Sequence, residues 1–108
     1  MVLKWFDTRA VDDIADRIAR DLVERIPPAS VGDGGKKSEA KQRKTQDLVL
    51  RQAHDFASAH KLNFYTKARL ANRFKWTLIE AGYPRQYVDD IAYELAMVVS
   101  SAESAKSA

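Results

Sequence analysis

The segment Asn63–Gly82, NFYTKARLANRFKWTLIEAG, constrains this chain more than any other stretch. Asn63 is a good helix N-cap, and Gly82 followed two residues later by Pro84 is a helix stop and a restart. Between them, at about 100° per residue, Leu70, Ala71, Phe74 and Leu78 form one apolar stripe and Tyr65, Trp76 and Ile79 a second. Two stripes predict two neighbours, so this helix is expected to be the hub that the other helices pack against.

The flanking segments supply those helices. Asp7 is an expected N-cap with Phe6 and Val11 placed as a hydrophobic staple, and Asp12 and Asp13 suit the positive end of a helix dipole. Val11, Ile14, Ile18, Leu22 and Ile26 then recur at three and four residues, with Asp13–Arg17, Asp16–Arg20 and Asp21–Arg25 spaced for surface ion pairs, until Pro27 and Pro28 end the helix. The run PPASVGDGGKK has nothing to bury and predicts a flexible loop over 27–37. Ser38 and Glu39 open a second helix whose lysine-rich start should project into water, because Lys37, Lys41 and Lys44 share a face with Leu48. Leu48, Val49, Ala53, Phe56 and Ala57 predict its buried side. After Gly82, a last seam of Val88, Ile91, Ala92, Leu95 and Val98 runs to about Ser101, and the polar residues 102–108 are expected to fray. The pentapeptide VDDIA occurs twice, at Val11–Ala15 and Val88–Ala92, and reads as two helix starts of one design and not as a repeat.

The expected fold is therefore all-α: a single domain, a bundle of four helices over 8–26, 39–60, 64–81 and 85–101. A chain of 108 residues can build such a core without staples, and it has no cysteine to make disulfides or thiolate sites. The longest apolar run, Leu95–Val99, is far below the ~20 residues that span a bilayer. No membrane association is expected, and the expected location is cytoplasmic.

Catalysis finds no support in the residues. His54 and His60 lie six apart, about 240° around a helix, and cannot chelate one ion from one face. The aspartate pairs diverge by about 100°, and GDGG lacks the Lys-Ser/Thr of a phosphate loop. No enzyme activity, metal or cofactor is expected. What stands out is charge: residues 36–75 carry 11 basic and 3 acidic side chains, between flanks that are net acidic. Within that region Tyr65, Arg69, Arg73 and Trp76 fall within roughly 80° on the helix wheel, interleaving guanidinium and aromatic groups, and Lys37, Lys41, Arg43 and Lys44 form a basic tract. These eight are the candidate partner-binding or nucleic-acid-binding residues. The alternative is structural: the aromatics pack under a neighbouring helix while the arginine stems reach Asp12 or Glu94, and the basic tract is a solubilising linker.

Leu78–Leu95, LIEAGYPRQYVDDIAYEL, resembles the first loop and second helix of ubiquitin-associated domains, and more loosely a helix-turn-helix. The resemblance covers about a sixth of the chain and implies Gly82, Tyr83 and Pro84 as a binding loop, although the third helix of that fold has no counterpart in the polar tail. The aromatics Trp5, Tyr65, Trp76, Tyr83, Tyr87 and Tyr93 are too many for one small core. The expected function is accordingly a protein-interaction module or homodimer, with nucleic-acid binding through 36–75 as the alternative.

Overall fold

Every hydrophobic seam in the sequence recurs at helical spacing, and in the computed structural model four helices bury those seams against one another. The structure describes residues 8–32, 35–60 and 62–107. Helix α1 spans Thr8–Arg25, α2 Lys36–His60, α3 Phe64–Ala81 and α4 Arg85–Ser107, and a 3-10 turn occupies Pro28–Ser30; there is no strand among the described residues. The expected Asp7 cap, the Phe6–Val11 staple and Trp5 lie outside the described residues.

Asn63 caps α3 as expected. Its side-chain oxygen accepts from the Thr66 amide at 2.8 Å and from the Thr66 hydroxyl at 2.9 Å. At the other end Gly82 adopts φ 101°, and paired hydrogen bonds, Gly82 N–H to the Ile79 carbonyl and Tyr83 N–H to the Leu78 carbonyl, close a Schellman motif. A side chain at residue 82 would be strained in that left-handed conformation. The chain turns there into α4, where the Pro84 carbonyl accepts from the Val88 amide.

Three boundaries differ from expectation, each for a local reason. Helix α2 begins at Lys36 instead of residue 39, with the Glu39 amide bonded to the Gly35 carbonyl and Glu39 placing a negative charge in the cation-rich first turn. The expected flexible loop is consequently shorter, and its first half is tied down: the Ser30 hydroxyl and amide both donate to the Pro27 carbonyl, Gln42 of α2 donates to the Ser30 carbonyl at 3.3 Å, and Val31 packs against the core. Helix α4 runs to Ser107, beyond the predicted end at 101, and Ala102 is buried as the last rung of its seam instead of the start of a frayed tail.

The order of the helices in space follows from their side-chain links. Arg69 meets Asp12, Arg73 meets Asp16 and the Tyr83 hydroxyl meets the Ile26 carbonyl, all 57 residues apart, so α1 and α3 run parallel and in register. Gln52 with Asp21 and Gln42 with Ser30 make α2 antiparallel to α1, and Lys75 with Asp89 makes α4 antiparallel to α3. The principal contacts are α1 with α2 and α3, and α4 with α2 and α3. The four helices thus close a ring in which α2 and α3, adjacent in sequence, sit diagonally, and Leu62 in their connection is buried. This corrects the hub expectation: α3 has two principal neighbours, as does every other helix, and α2 packs on α1 and α4.

One core cluster joins all four helices, with Ile18 and Leu22 of α1, Val49 and Ala53 of α2, Leu70, Phe74 and Leu78 of α3, and Val88 and Leu95 of α4 all but fully buried. Two seam positions are rephased. The buried seam of α2 runs through Thr45, Val49, Ala53 and Ala57, four apart, with Leu50 beside it, which leaves Leu48 about 100° off the core face on the other side and 48% exposed. In α4, Val99 takes the buried place expected of Val98. Tyr83 is also buried, and its hydroxyl donates to the carbonyl of Ile26, just past the end of α1, a group of the kind a helix end leaves unpaired, and more weakly to the Leu22 carbonyl, which also accepts from the Ile26 amide.

The two VDDIA copies have matching roles. Val, Ile and Ala of each are buried, and the first aspartate of each faces a cation of α3, Asp12 toward Arg69 and Asp89 toward Lys75. Neither helix has an acid in its first turn, so these aspartates serve the helix interfaces and not, as expected, the dipole.

Two substitutions test this packing in urea denaturation. Phe74→Ala removes the largest fully buried side chain and is expected to cost about 3–5 kcal/mol. Tyr83→Phe keeps the ring and deprives the Ile26 carbonyl of its donor, for an expected loss of about 1 kcal/mol.

Candidate functional site

The eight candidate residues separate onto two faces of the ring. Arg69, Arg73, Tyr65 and Trp76 lie where α3 meets α1. Both guanidinium groups are bidentate: Arg69 donates to the Asp12 carboxylate at 2.8 and 2.9 Å, and Arg73 to Asp16 at 2.9 and 3.1 Å. Arg73 also stands 3.7 Å from Asp12, and Arg69 donates weakly to the Tyr65 hydroxyl at 3.4 Å. The repulsion expected between two arginines four residues apart is answered by two aspartates with the same spacing. The Arg69 hydrogen bond holds Asp12 below the usual carboxylate range, against the opposing effect of burial and with further help from the charges of Arg69 and Arg73. Arg69 is correspondingly pushed up by its hydrogen bonds to Asp12 and Tyr65.

Of the two partners considered for these arginines, Asp12 is taken and Glu94 is not; Glu94 accepts instead from Arg43 of α2 at 3.3 Å. Tyr65 and Trp76 do not pack under a neighbour, and both stay about half exposed. Trp76 borders an open groove of about 430 Å³ with Asn72, Thr77 and Glu80. The aromatic edge of this face is accessible while its cations are engaged by α1.

The basic tract lies on α2, diagonal to α3. The side chain of Lys37 lies outside the described residues, while Lys41 and Lys44 are exposed. Arg43 is held between Asp47 at 3.2 Å and Glu94 at 3.3 Å. Arg43 and Lys44 flank a larger groove between α2 and α4, about 940 Å³, whose apolar lining is Leu48, Leu50, Met97 and Val98. Arg51 stands on the same rim, and toward the His60 end of α2 His54 lies 3.6 Å from Asp55. Leu48 and Met97, 48% and 54% exposed, are the two large apolar side chains this groove offers to solvent. Neither had been singled out as a binding residue, since Leu48 reads as core; the four-residue spacing of Thr45, Val49, Ala53 and Ala57 was the available signal.

The aromatic surplus is smaller than expected. Tyr83 is buried and Tyr87 half-buried, their rings stacked at 5.3 Å, and the Tyr87 hydroxyl accepts from Gln46 at 2.7 Å. Burial raises both phenols above their ordinary range. The central residue of the expected Gly82–Tyr83–Pro84 binding loop therefore faces the core. Tyr93 and Phe64 remain exposed, as do Tyr65 and Trp76.

Among the described residues no group of three or more His, Asp or Glu side chains is arranged to hold a metal ion, and no helix is long and apolar enough to cross a membrane. The chain matches no family model, and neither the curated proteins nor the solved structures gave a match, so the surface is read from its own geometry.

The Asp12–Arg69 bridge has a defined pH signature. With its folded pKa lowered from 3.8, Asp12 stabilises the fold at higher pH, and that contribution is lost as pH falls through the lowered value. Asp12→Asn should accordingly have a lower urea midpoint than the parent chain at neutral pH, and the gap should close as both are titrated below about pH 4.

Proposed function

We propose that this protein is a non-catalytic interaction module that binds another protein, or a second copy of itself, through the α2–α4 groove. The observation that carries the reading is the half-exposed pair Leu48 and Met97 above the common floor of Leu50 and Val98. A lone exposed leucine is ordinary on a protein surface; two large apolar groups from different helices lining one open groove describe an adhesive patch. Methionine suits such a patch, because its flexible, polarisable side chain adapts to an incoming surface.

Nucleic-acid binding through 36–75 has weaker support. Arg69 and Arg73 would have to leave bidentate carboxylates to reach phosphate, and the tract on α2 lies on a different face from the half-exposed Tyr65 and Trp76.

Light scattering combined with covalent capture tests the interaction reading. The wild-type chain should dimerise or capture a partner, and Leu48→Glu with Met97→Glu should abolish this while circular dichroism stays unchanged, since both side chains already meet water. A strict monomer that captures nothing the double variant fails to capture overturns the reading. Salt-sensitive binding to a mixed-sequence duplex that Arg69→Glu with Arg73→Glu abolishes would favour nucleic acid instead.

A further inference from the structure

We propose that the α2–α4 groove carries an oxidation switch, in which a peroxide converts Met97 to its sulfoxide and makes the groove non-adhesive while the bundle stays folded; this is a regulation of the proposed interaction surface and rests on that reading. The sulfur is the chemically distinct atom of this surface. The chain has no cysteine and two methionines, Met1 and Met97, and Met97 holds the one sulfur among the described residues. Of the two large apolar side chains that the groove offers to solvent, Leu48 is inert to a peroxide and Met97 is not.

Oxidation follows access, and Met97 is 54% exposed. Its place on α4 explains why. Leu95 and Val99 are buried in the seam, and Met97, two residues from each, stands about 200° around the helix from both. Met97 has no place in the core cluster, although its neighbour Val98 packs against that cluster. An oxygen added to the sulfur therefore meets water in the free chain, and the core loses no contact.

The step is a two-electron transfer of one oxygen. A lone pair on the Met97 sulfur attacks one oxygen of a hydroperoxide, the O–O bond breaks, the proton of the transferred oxygen passes to the departing one, and water or an alcohol leaves. Sulfur is oxidised to the sulfoxide and the peroxide is reduced; a sulfoxide reductase supplied with a thiol restores the thioether.

The consequence falls on docking. The sulfoxide oxygen is polar and holds water. When a partner covers the groove, that oxygen has to give up its water against Leu48, Leu50 and Val98, a cost that the thioether does not carry. The flexible, polarisable group that lets the patch adapt to an incoming surface is replaced by a polar one. Four side chains make up the apolar lining, so altering one of them changes much of what a partner meets.

The test treats the full chain with dilute hydrogen peroxide and locates the added oxygen by peptide mapping and mass spectrometry. Met97 should be oxidised at a rate within about threefold of the same residue in a short unfolded peptide, and the thermal melt should not move. Dimerisation or partner capture, measured as for the Leu48 and Met97 double variant, should fall about tenfold or more and return after treatment with sulfoxide reductase and a thiol. Met97→Leu should bind as well after peroxide as before it. Met97→Gln, polar and of similar length, should bind as poorly as the oxidised chain without any peroxide.

Strong protection of Met97 from peroxide, a lowered melt on oxidation, or undiminished binding by the oxidised chain or by Met97→Gln overturns the switch and leaves the interaction reading standing. Loss of binding by peroxide-treated Met97→Leu assigns the sensitivity to another side chain, such as His54 or Trp76, and also overturns it. An untreated chain that neither dimerises nor captures a partner removes the interaction reading itself, and the switch with it.

Discussion

Burial of one stripe of α3, Leu70, Phe74 and Leu78, is the constraint on which the remaining arrangement depends. All three are fully buried in a single core cluster. An 18-residue helix with one apolar stripe this complete has to be flanked on both sides, and α1 and α4 are the flanks; α2 then closes the ring from the far corner. The parallel alignment of α1 and α3 follows from this, because the chain must travel back along α2 before α3 can start from the same end.

The parts of this fold written in local chemistry were readable from the residues, and the parts written in long-range contacts were not. Asn63, Gly82, the prolines and the α1 seam act within a few residues of themselves, and each did what its neighbours predict. The phase of α2 was harder to read. Its seam is built of Thr45 and alanines around Val49, so the larger Leu48 looks like core although it is a turn-third away. Tyr83 was misplaced for another reason: what makes its burial favourable is the Ile26 carbonyl at the end of a helix 57 residues upstream, and nothing near residue 83 announces it. Of the candidate site, Asp12 was legible as an arginine partner from charge alone, whereas the groove floor depended on how α2 and α4 meet.

Within the basic middle of the chain, many of the described cations have partners. Arg69 and Arg73 answer acids of α1, Lys75 answers Asp89, and Arg43 answers Glu94, so much of the charge excess is a complement to the acidic flanks within the fold. Among the described side chains Lys41, Lys44 and Arg51 have no ion-pair partner, and all three lie on α2. The bundle measures 50 by 29 by 19 Å, long for its cross-section, and the 25 residues of α2 account for that elongation better than any other helix. Surface charge that the fold does not use is thus concentrated where it is most accessible.

The Asp12–Asp16 and Arg69–Arg73 ladder has a mechanical property that follows from its equal spacing. Two rungs four residues apart on both helices form a vernier with two marks: if α3 slid along α1 by one helical turn, about 5.4 Å, one rung would be lost and one would re-form between exchanged partners. The 3.7 Å approach of Arg73 to Asp12 is that exchange already foreshadowed. The charges by themselves would therefore tolerate a slip between the two helices. What arrests the slide is uncharged: the interlocked side chains of the α1 seam and the Leu70, Phe74 and Leu78 stripe, with the Tyr83 hydroxyl on the Ile26 carbonyl as an end stop.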